Sequence, residues 1–304
     1  MAAPQPISPV RGRPIQAALL ADGRRLHLQD GPIDLIIEAT GEAEAVRYAY
    51  DAAVRRFTGL LDALCAELSA LRAPAGGNAP TLVHPVAQRM AAAVAPFADP
   101  MFITPMAAVA GAVADEILKA LLCPGITRAY VNNGGDIALH LAQGASYTVG
   151  LVDRPDQPRL IGSAAITADS PVRGVATSGW RGRSFSLGIA DAVTILAPTA
   201  AMADAAATVV ANAVDLPDHR GVIRRRACDI QPDNDLGDRR VTREVPMLSD
   251  AERAQSLSAG LAVARDLMSR GLICAAALHL QGETVSVGDA AFLSSHPQQE
   301  RTNA

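Results

Sequence analysis

A carboxylate and a hydroxyl stand one helical turn apart in the segment ADAAATVVANAV, residues 203–214. Asp204 and Thr208 are four positions apart, a spacing that places both side chains on one face of a helix. Both offer hard oxygen donors, which suit Mg²⁺ when the ion also keeps water and binds phosphate oxygens. The alternative is an acidic residue that interacts with the helix dipole and a threonine that the helix tolerates.

A second segment, VNNGGDIAL, places two glycines between two predicted strands. Gly134 and Gly135 would let the main chain approach a ligand closely, and such a turn can present amide N–H groups to phosphate oxygens. Asp136 follows them directly. The alternative is an ordinary tight hairpin in which asparagine and aspartate serve the turn itself.

A third segment, GVATSGWRGRS, combines hydroxyls and a glycine with two arginines. An arginine can bind two oxygens of a phosphate or carboxylate at once, so this composition suits an anionic ligand. An ordinary polar turn is the alternative. The candidate binding residues are Ala176, Thr177, Ser178, Gly179, Arg181 and Arg183.

A fourth segment, TPMAAVAGAVADEI, carries small residues along a predicted helix. They would form a flat face against which a ring or a second helix can pack. Close helix packing without a ligand is the alternative. The small residues are Ala107, Ala110, Gly111 and Ala114.

Composition limits the kind of protein that carries these segments. The 304 residues are 49% hydrophobic and carry a formal net charge of −4, which indicates a large core and argues against a nucleic-acid surface. The four cysteines include no C-x-x-C pair, so no zinc or redox motif is evident. The N-terminal segment lacks the apolar core of a signal peptide, and no apolar run reaches membrane-spanning length. We therefore predict a cytoplasmic protein with no membrane segment.

Both helices and strands are needed to position the candidate residues. We predict a hairpin across Asp30 and Gly31, followed by a long helix from Glu42 to Leu71 and two shorter helices. A run of short strands comes next, and Thr199 is expected to cap the helix that follows it.

The run of predicted strands includes RSFSLGI, residues 183–189. The polar, proline-bearing segment 216–247 is predicted to be a long loop or a lid, and 292–304 a disordered tail. Residues 1–304 are expected to form one α+β domain, with a mixed or antiparallel sheet packed against helices.

Taken in order, PMAAVAGAVAD, NNGGDI, VATSG and ADAVTILAPTAAMADAAAT resemble the ApbE family of flavin transferases, and most of all an uncharacterised cytoplasmic branch of it. The resemblance implies a T-fold-like architecture and a pocket for FAD. It also implies a Mg²⁺-dependent transfer of FMN from FAD to a threonine or serine of an acceptor protein, with release of AMP. The alanine-rich helix faces are compatible with a homodimer.

The resemblance also implies roles for individual residues. The family's D-x-x-x-T metal motif falls on Asp204 and Thr208, and its A-K-G helix, whose main-chain carbonyl serves the metal, falls on Val109, Ala110 and Gly111. The GGD turn at 134–136 corresponds to a flavin-pocket segment, and the A-T-S-G sequence at 176–179 to a strand end beside the dinucleotide.

Two departures from the family pattern bear on transfer. Ala110 replaces the family's lysine, and the histidine-bearing H-x-x-D-P-x-T-G stretch is missing. In its place stands WRGRSFSLGI, after which Asp191 leads directly into a strand.

Three functions are compatible with these observations. The first is an enzyme that binds FAD or FMN with Mg²⁺ and transfers FMN, with Asp204 or Asp191 as the base. The second is an enzyme of the same fold that acts on another nucleotide-like or acidic metabolite; the resembled branch has been linked to sulfur-amino-acid biosynthesis. The third is a non-catalytic binding protein. His84 and His140 are further acid–base candidates, although ordinary structural histidines are expected at both positions.

Overall fold

The first strands of the protein show how its large sheet forms. The predicted hairpin across Asp30 and Gly31 is confirmed, because Leu26–Asp30 pairs antiparallel with Ile33–Gly41. Alternate side chains in both segments are buried, as expected for strands with one face on a core. The computed structural model describes residues 15–77, 81–99, 101–154, 156–288 and 293–295.

Strands and helices are numbered here in chain order. The strands are β1 (Gln16–Leu19), β2 (Leu26–Asp30), β3 (Ile33–Gly41), β4 (Ile126–Asn133), β5 (Asp136–Leu141), β6 (Ser146–Val152), β7 (Leu160–Thr167), β8 (Gly174–Ser178), β9 (Ala192–Ala197), β10 (Ile223–Arg226), β11 (Arg240–Glu244), β12 (Ala275–Leu280), β13 (Glu283–Gly288) and β14 (Leu293–Ser295). The helices are α1 (Ala43–Phe57), α2 (Leu60–Ala66), α3 (Leu68–Leu71), α4 (Pro85–Val94), α5 (Val109–Leu121), α6 (Ala200–Ala213), α7 (Ala227–Ile230) and α8 (Asp250–Ser269), with 3-10 helices at Ala95–Phe97 and Pro105–Ala108.

The large sheet has the strand order β1-β2-β3-β4-β5-β8-β9-β12-β13. Its neighbouring strands pair antiparallel. A smaller sheet has the order β14-β7-β6, and β10 pairs with β11. The prediction of an α+β protein with an antiparallel sheet packed against helices is therefore confirmed.

The two faces of the large sheet have different neighbours. Ala176 of β8 belongs to the apolar core that also contains Ile117 of α5 and Val209 of α6. The adjacent Val175 belongs instead to a second core, together with Ile166 of β7. Successive residues of a strand point to opposite faces, so one face of the sheet carries helices and the other carries the small sheet.

The predicted long helix from Glu42 to Leu71 is wrong as a single element. The chain forms α1, α2 and α3 instead, and Gly59 between the first two has φ of +77°. Glycine adopts this left-handed conformation readily, and it ends a helix. Buried residues of all three helices belong to the same apolar core, among them Phe57, Leu60 and Leu71, so the apolar pattern continues across the break.

The prediction of a strand at residues 183–189 is also wrong, because the segment is irregular. Main-chain N–H groups of this segment donate to acceptors at the end of α6 and not to a neighbouring strand. Leu187 N–H donates to the side chain of Asn212 at 2.9 Å, and Ile189 N–H donates to the Val214 carbonyl at 2.8 Å. The C-terminal end of α6 thus holds this segment in place of a neighbouring strand.

The segment 216–247 contains β10, α7 and β11, so part of it is regular. Its connecting loop contacts the rest of the domain, since Thr104 donates a hydrogen bond to Asp235 at 2.5 Å and Arg72 forms an ion pair with Asp233. Its movement as a lid stays a prediction.

The prediction of a disordered tail over residues 292–304 is wrong at three positions, because Leu293–Ser295 forms a strand that pairs with β7. The edge of a sheet offers unpaired main-chain groups to any segment that can reach it. The other residues of this tail lie outside the described part of the chain. Within the described ranges, no helix combines the length and the apolar character needed to cross a membrane.

Candidate functional site

Two carboxylates from different elements interact on the helical face of the sheet. Asp136 begins β5, and Asp204 lies in the first part of α6. Burial raises the pKa of Asp136 well above its usual range, and the negative charge of Asp204 raises it further. A hydrogen bond from the Thr177 main chain and the positive charge of Arg183 act in the opposite direction. This pair of residues is called the carboxylate pair below.

Asp204 is held by the beginning of α5. Its Oδ2 accepts a hydrogen bond from the Gly111 main-chain N–H at 2.9 Å. Burial raises the pKa of Asp204 to about 7, hydrogen bonds from Gly111 and Ala110 lower it, and the nearby Asp115 raises it. The carboxyl therefore exchanges a proton close to neutral pH.

Glycine at position 111 makes that hydrogen bond possible. A β-carbon there would overlap the Ala200 carbonyl, so α5 and α6 cross in direct main-chain contact. The close helix packing that was the alternative interpretation is therefore observed, and it also brings the Gly111 N–H to Asp204. Packing of a ring on this face stays a prediction. Val109 and Ala110 lie in the same first turn of α5.

The GGD turn is a two-residue hairpin between β4 and β5, as the simpler interpretation predicts. Asn133 pairs with Asp136 across it, and Gly134 and Gly135 have φ of +68° and +113°. The Arg183 guanidinium packs so closely on Gly134 that a β-carbon would overlap it. The hairpin thus brings a carboxylate and an arginine to one edge of the sheet.

Two residues at this site were missed by sequence reasoning. The Asn133 side chain donates to the Ala110 carbonyl at 3.1 Å and ties the hairpin to α5. Asp115 accepts hydrogen bonds from the N–H groups of Ala200 and Ala201 at 3.1 and 3.0 Å, which supplements the predicted cap of α6. The motif strings NNGGD and AVADE contain both residues, but nothing in their spacing indicates these partners.

Thr199 caps α6 as predicted. Its hydroxyl accepts a hydrogen bond from the Met202 N–H at 3.2 Å. Thr208 follows Asp204 by one turn of the same continuous helix and is partly exposed, so the predicted shared face exists.

The A-T-S-G segment occupies the end of β8. Ala176 is buried in the helical core, and the Thr177 hydroxyl shares a hydrogen bond of 2.9 Å with Thr194 of β9. Ser178 is partly exposed at the strand end, and Gly179 lies against the main chain of Asp191. The Thr177 main chain hydrogen-bonds to Asp136 of the carboxylate pair, whereas its hydroxyl bonds to Thr194 within the sheet.

Arg181 and Asp191 form a separate arrangement. The Asp191 carboxylate accepts hydrogen bonds from Arg181 Nε at 2.9 Å, Trp180 Nε1 at 3.1 Å and Gln281 N–H at 2.7 Å. Both residues line a cavity together with His279. Arg181 and Arg183 therefore have different neighbours, although the sequence suggested that both bind one anion.

The two histidines named as acid–base candidates, His84 and His140, both have interactions typical of structural residues. His84 caps α4 by accepting a hydrogen bond from the Val86 N–H at 3.3 Å, and burial lowers its pKa. Burial and the nearby Arg173 lower the pKa of His140 on β5.

The residues of the carboxylate pair are suited to Mg²⁺. In the described part of the chain, no group of three or more His, Cys, Asp or Glu residues could hold a metal ion. Mg²⁺ does not require such a group, because it binds through one or two carboxylates, water and phosphate oxygens. Asp136, Asp204 and the Thr208 hydroxyl are donors of that kind.

Residues 17–286 match the family model described as AbpE bacteria. A UPF0280 protein of Methanopyrus kandleri is 37% identical over 128 residues, which cover 42% of this chain and 50% of that protein. A UPF0280 protein of Methanothermobacter thermautotrophicus is 40% identical over 118 residues, covering 38% and 44%. The chain thus spans about half the length of these relatives. The structure of Pseudomonas stutzeri flavinyl transferase ApbE, apo form, is similar with a TM-score of 0.43 and 13% identity, covering 91% of this chain and 95% of that one.

Proposed function

The chain belongs to the family described as AbpE bacteria, and on that basis we propose that it binds a flavin nucleotide together with Mg²⁺. The family match confirms the resemblance found in the sequence. The proposed ligand is FAD or FMN, and the proposed site is the carboxylate pair with the turns around it. The AMP-releasing transfer of FMN to an acceptor protein is the reaction that this site would serve.

The observation that carries the proposal is the proximity of Asp136 and Asp204. Two neighbouring carboxylates disfavour each other's charged form, which raises the pKa of Asp136. A divalent cation between them and a nucleotide phosphate would relieve that repulsion. Main-chain hydrogen bonds to both acids and the positive charge of Arg183 offset only part of this cost, because the pKa of each carboxyl stays raised.

Several residues would have defined tasks around the ligand. Asp136, Asp204 and Thr208 would hold Mg²⁺. The Gly111 N–H would keep the Asp204 carboxylate in its orientation. Arg183, which packs on Gly134, would face the phosphates. When bound, Mg²⁺ supplies neutralisation of the negative charge on the pyrophosphate.

Neither of the two residues predicted as the base for transfer is a free carboxylate. Asp204 would be a Mg²⁺ ligand, and a carboxylate binds the cation in its ionised form. The Asp191 carboxylate already accepts three hydrogen bonds and is buried. Asp191 would instead fix the position of Arg181.

A second candidate function follows from the missing family features. Ala110 stands in place of the lysine, and the loop from Trp180 to Ala190 contains no histidine. A site with these features could bind an acidic or nucleotide-like metabolite other than a flavin. Release of AMP from FAD in the presence of an acceptor peptide would separate the two functions. The acceptor protein, the homodimer and the cytoplasmic location stay predictions.

Calorimetric titration with FAD, with and without Mg²⁺, tests the proposed site. We expect micromolar affinity that depends on Mg²⁺ in the wild type and at least about tenfold weaker binding by Asp204→Ala. Asp51→Asn removes an exposed carboxylate of α1 and is the matched control. Equal binding by Asp204→Ala and Asp51→Asn would contradict the assignment.

A further inference from the structure

The cavity lined by Arg181, Asp191 and His279 lies at the same edge of the large sheet as the carboxylate pair, but on the opposite face. Ala275 and Ala277 of β12 pack in the core beneath the small sheet, and His279 continues that alternation. Asp136 lies on the same face as Ala138, which packs in the helical core. The cavity lined by His279 is therefore on the far side of the sheet from the carboxylate pair.

This cavity has a volume of about 530 Å³ and is formed by segments far apart in the chain. The hairpin between β6 and β7 contributes Asp153 and Arg159, and the loop after β8 contributes Arg181. His279 and Gln281 come from the end of β12. A volume of this size is within the range of small-molecule sites.

The acceptor groups on the wall are already used. Asp191 accepts three hydrogen bonds, and Asp153 accepts two from Arg159, through the main-chain N–H at 2.9 Å and Nε at 3.2 Å. The Gln281 side chain binds Leu248 N–H and the Pro246 carbonyl.

His279 is occupied as well. Its Nδ1 lies 2.7 Å from the Thr284 hydroxyl, and its Nε2 accepts from Gly282 N–H at 3.3 Å. A ring nitrogen that accepts a hydrogen bond carries no proton, so the ring is neutral in this arrangement. Burial lowers its pKa, and the nearby Asp191 and Asp153 raise it. The wall therefore has little acceptor capacity left for a cationic ligand.

Donor groups remain in excess. Arg159 and Arg181 both use Nε for their carboxylate partners, and among the hydrogen bonds of the described residues neither uses its terminal nitrogens. Arg181 also stacks on the Trp180 ring, with the guanidinium carbon 4.2 Å from the ring centroid. Two guanidinium groups with free terminal nitrogens are a recognition element for an oxyanion.

The mouth of the cavity is apolar. Leu160 and Met247 are 67% and 85% exposed, and both line it. Val245 and Ile161 extend the same lining. Exposed apolar side chains beside an arginine pair suit a ligand that carries an apolar group next to its negative charge.

We infer that this cavity is a second ligand site. Its ligand carries an oxyanion, a phosphate or a carboxylate, joined to an apolar group. Arg159 and Arg181 bind the oxyanion. The site is independent of Mg²⁺ and of the carboxylate pair. The loop between β8 and β9 borders both sites, with Arg181 in the cavity and Arg183 on the GGD turn.

Phenyl phosphate is a suitable probe, and Trp180, the one tryptophan of the chain, is a built-in reporter beside Arg181. The titration is done on the full chain in EDTA, without flavin, by tryptophan fluorescence and by calorimetry. We expect saturable binding with a Kd of about 1 mM or tighter, and weaker binding of inorganic phosphate and of phenol. Octanoate distinguishes a carboxylate ligand from a phosphate ligand.

Variants locate the binding. Arg159→Gln and Arg181→Gln are expected to weaken phenyl phosphate at least about tenfold, whereas Arg183→Gln is expected to leave it unchanged. Arg159 is largely exposed, so its variant keeps the test valid if Arg181→Gln folds poorly. Calorimetry measures the affinity of Arg181→Gln even if the substitution changes the fluorescence of Trp180.

Three results would overturn the inference: no saturable binding, binding of inorganic phosphate as tight as that of phenyl phosphate, or equal loss in Arg183→Gln and Arg159→Gln. The last result would show that the anion does not distinguish the arginines of the cavity from Arg183 at the carboxylate pair. Because the experiment contains neither Mg²⁺ nor flavin, its failure leaves the proposed flavin site to its own test with Asp204→Ala.

Discussion

The main-chain N–H of Gly111 donates a hydrogen bond of 2.9 Å to the carboxylate of Asp204, a residue 93 positions later in the chain. This bond joins the first turn of α5 to the first part of α6, and Asp136 of β5 lies beside it. It links two of the four sequence segments that suggested a flavin site.

Substitution Gly111→Ala tests whether helix packing and the site depend on each other. The added methyl group would overlap the Ala200 carbonyl and separate α5 from α6. We expect the free energy of unfolding to fall by about 1–3 kcal/mol, and FAD binding with Mg²⁺ to weaken. Urea unfolding and calorimetry measure the two effects. Gly77→Ala, in an exposed loop with room for a β-carbon, should change neither.

The titration of Asp204 should contribute a decrease in the stability of the ligand-free protein as pH rises from about 4 to 7, seen as the difference between the wild type and Asp204→Asn. The folded-state pKa of Asp204 is raised from 3.8 to about 7, so the folded state binds more protons than the unfolded state within this window. Each pH unit then lowers the free energy of unfolding by up to about 1.4 kcal/mol. Urea unfolding in EDTA measures the slope.

The variant Asp204→Asn provides the control for this pH dependence. Its amide oxygen can still accept the Gly111 N–H but does not titrate. The slope between pH 4 and 7 should be reduced in this variant. A slope equal to that of the wild type would assign the titration to another group.

Removal of the Asp115 carboxylate should loosen the start of α6. Asp115→Ala leaves the N–H groups of Ala200 and Ala201 without their acceptor. We expect the free energy of unfolding to fall by roughly 2–4 kcal/mol, because two hydrogen bonds to a charged group are lost. Thermal or urea unfolding checks this value, and an effect no larger than that of Asp51→Ala would contradict the role.

The two arginines of the loop after β8 should differ in their effect on flavin affinity. Arg183 lowers the pKa of Asp136 and packs on Gly134, whereas Arg181 binds Asp191. Arg183→Gln is expected to weaken FAD binding about tenfold, and Arg181→Gln to leave it nearly unchanged. Calorimetry with Mg²⁺ distinguishes the two variants. The reverse order of effects would place the flavin in the cavity lined by Arg181.

Local features of the site could be predicted from the sequence. The Thr199 cap and the hairpin at Gly134 and Gly135 depend on side-chain and main-chain preferences of a few consecutive residues. The helical spacing of Asp204 and Thr208 has the same local origin. These features are confirmed because no distant contact decides them.

Other features depend on contacts between distant segments. Asp136 meets Asp204 only because β5 pairs with β8, which packs against α6. The strand-like pattern of residues 183–189 is overridden by hydrogen bonds to the end of α6. The side chains of Arg181 and Arg183 point to different neighbours, Asp191 and Gly134, because an irregular loop has no fixed periodicity. Only these distant partners determine where each side chain points.

The most direct test of the central claim is a double-mutant cycle on the Mg²⁺-dependent affinity for FAD, with Asp136→Asn, Asp204→Asn and the double variant. If both carboxylates serve one cation site, each single variant loses at least about tenfold in affinity and the double variant loses less than the product of the two. FAD affinity that does not depend on Mg²⁺ in the wild type, or that both single variants retain, would contradict a flavin–Mg²⁺ site at the carboxylate pair.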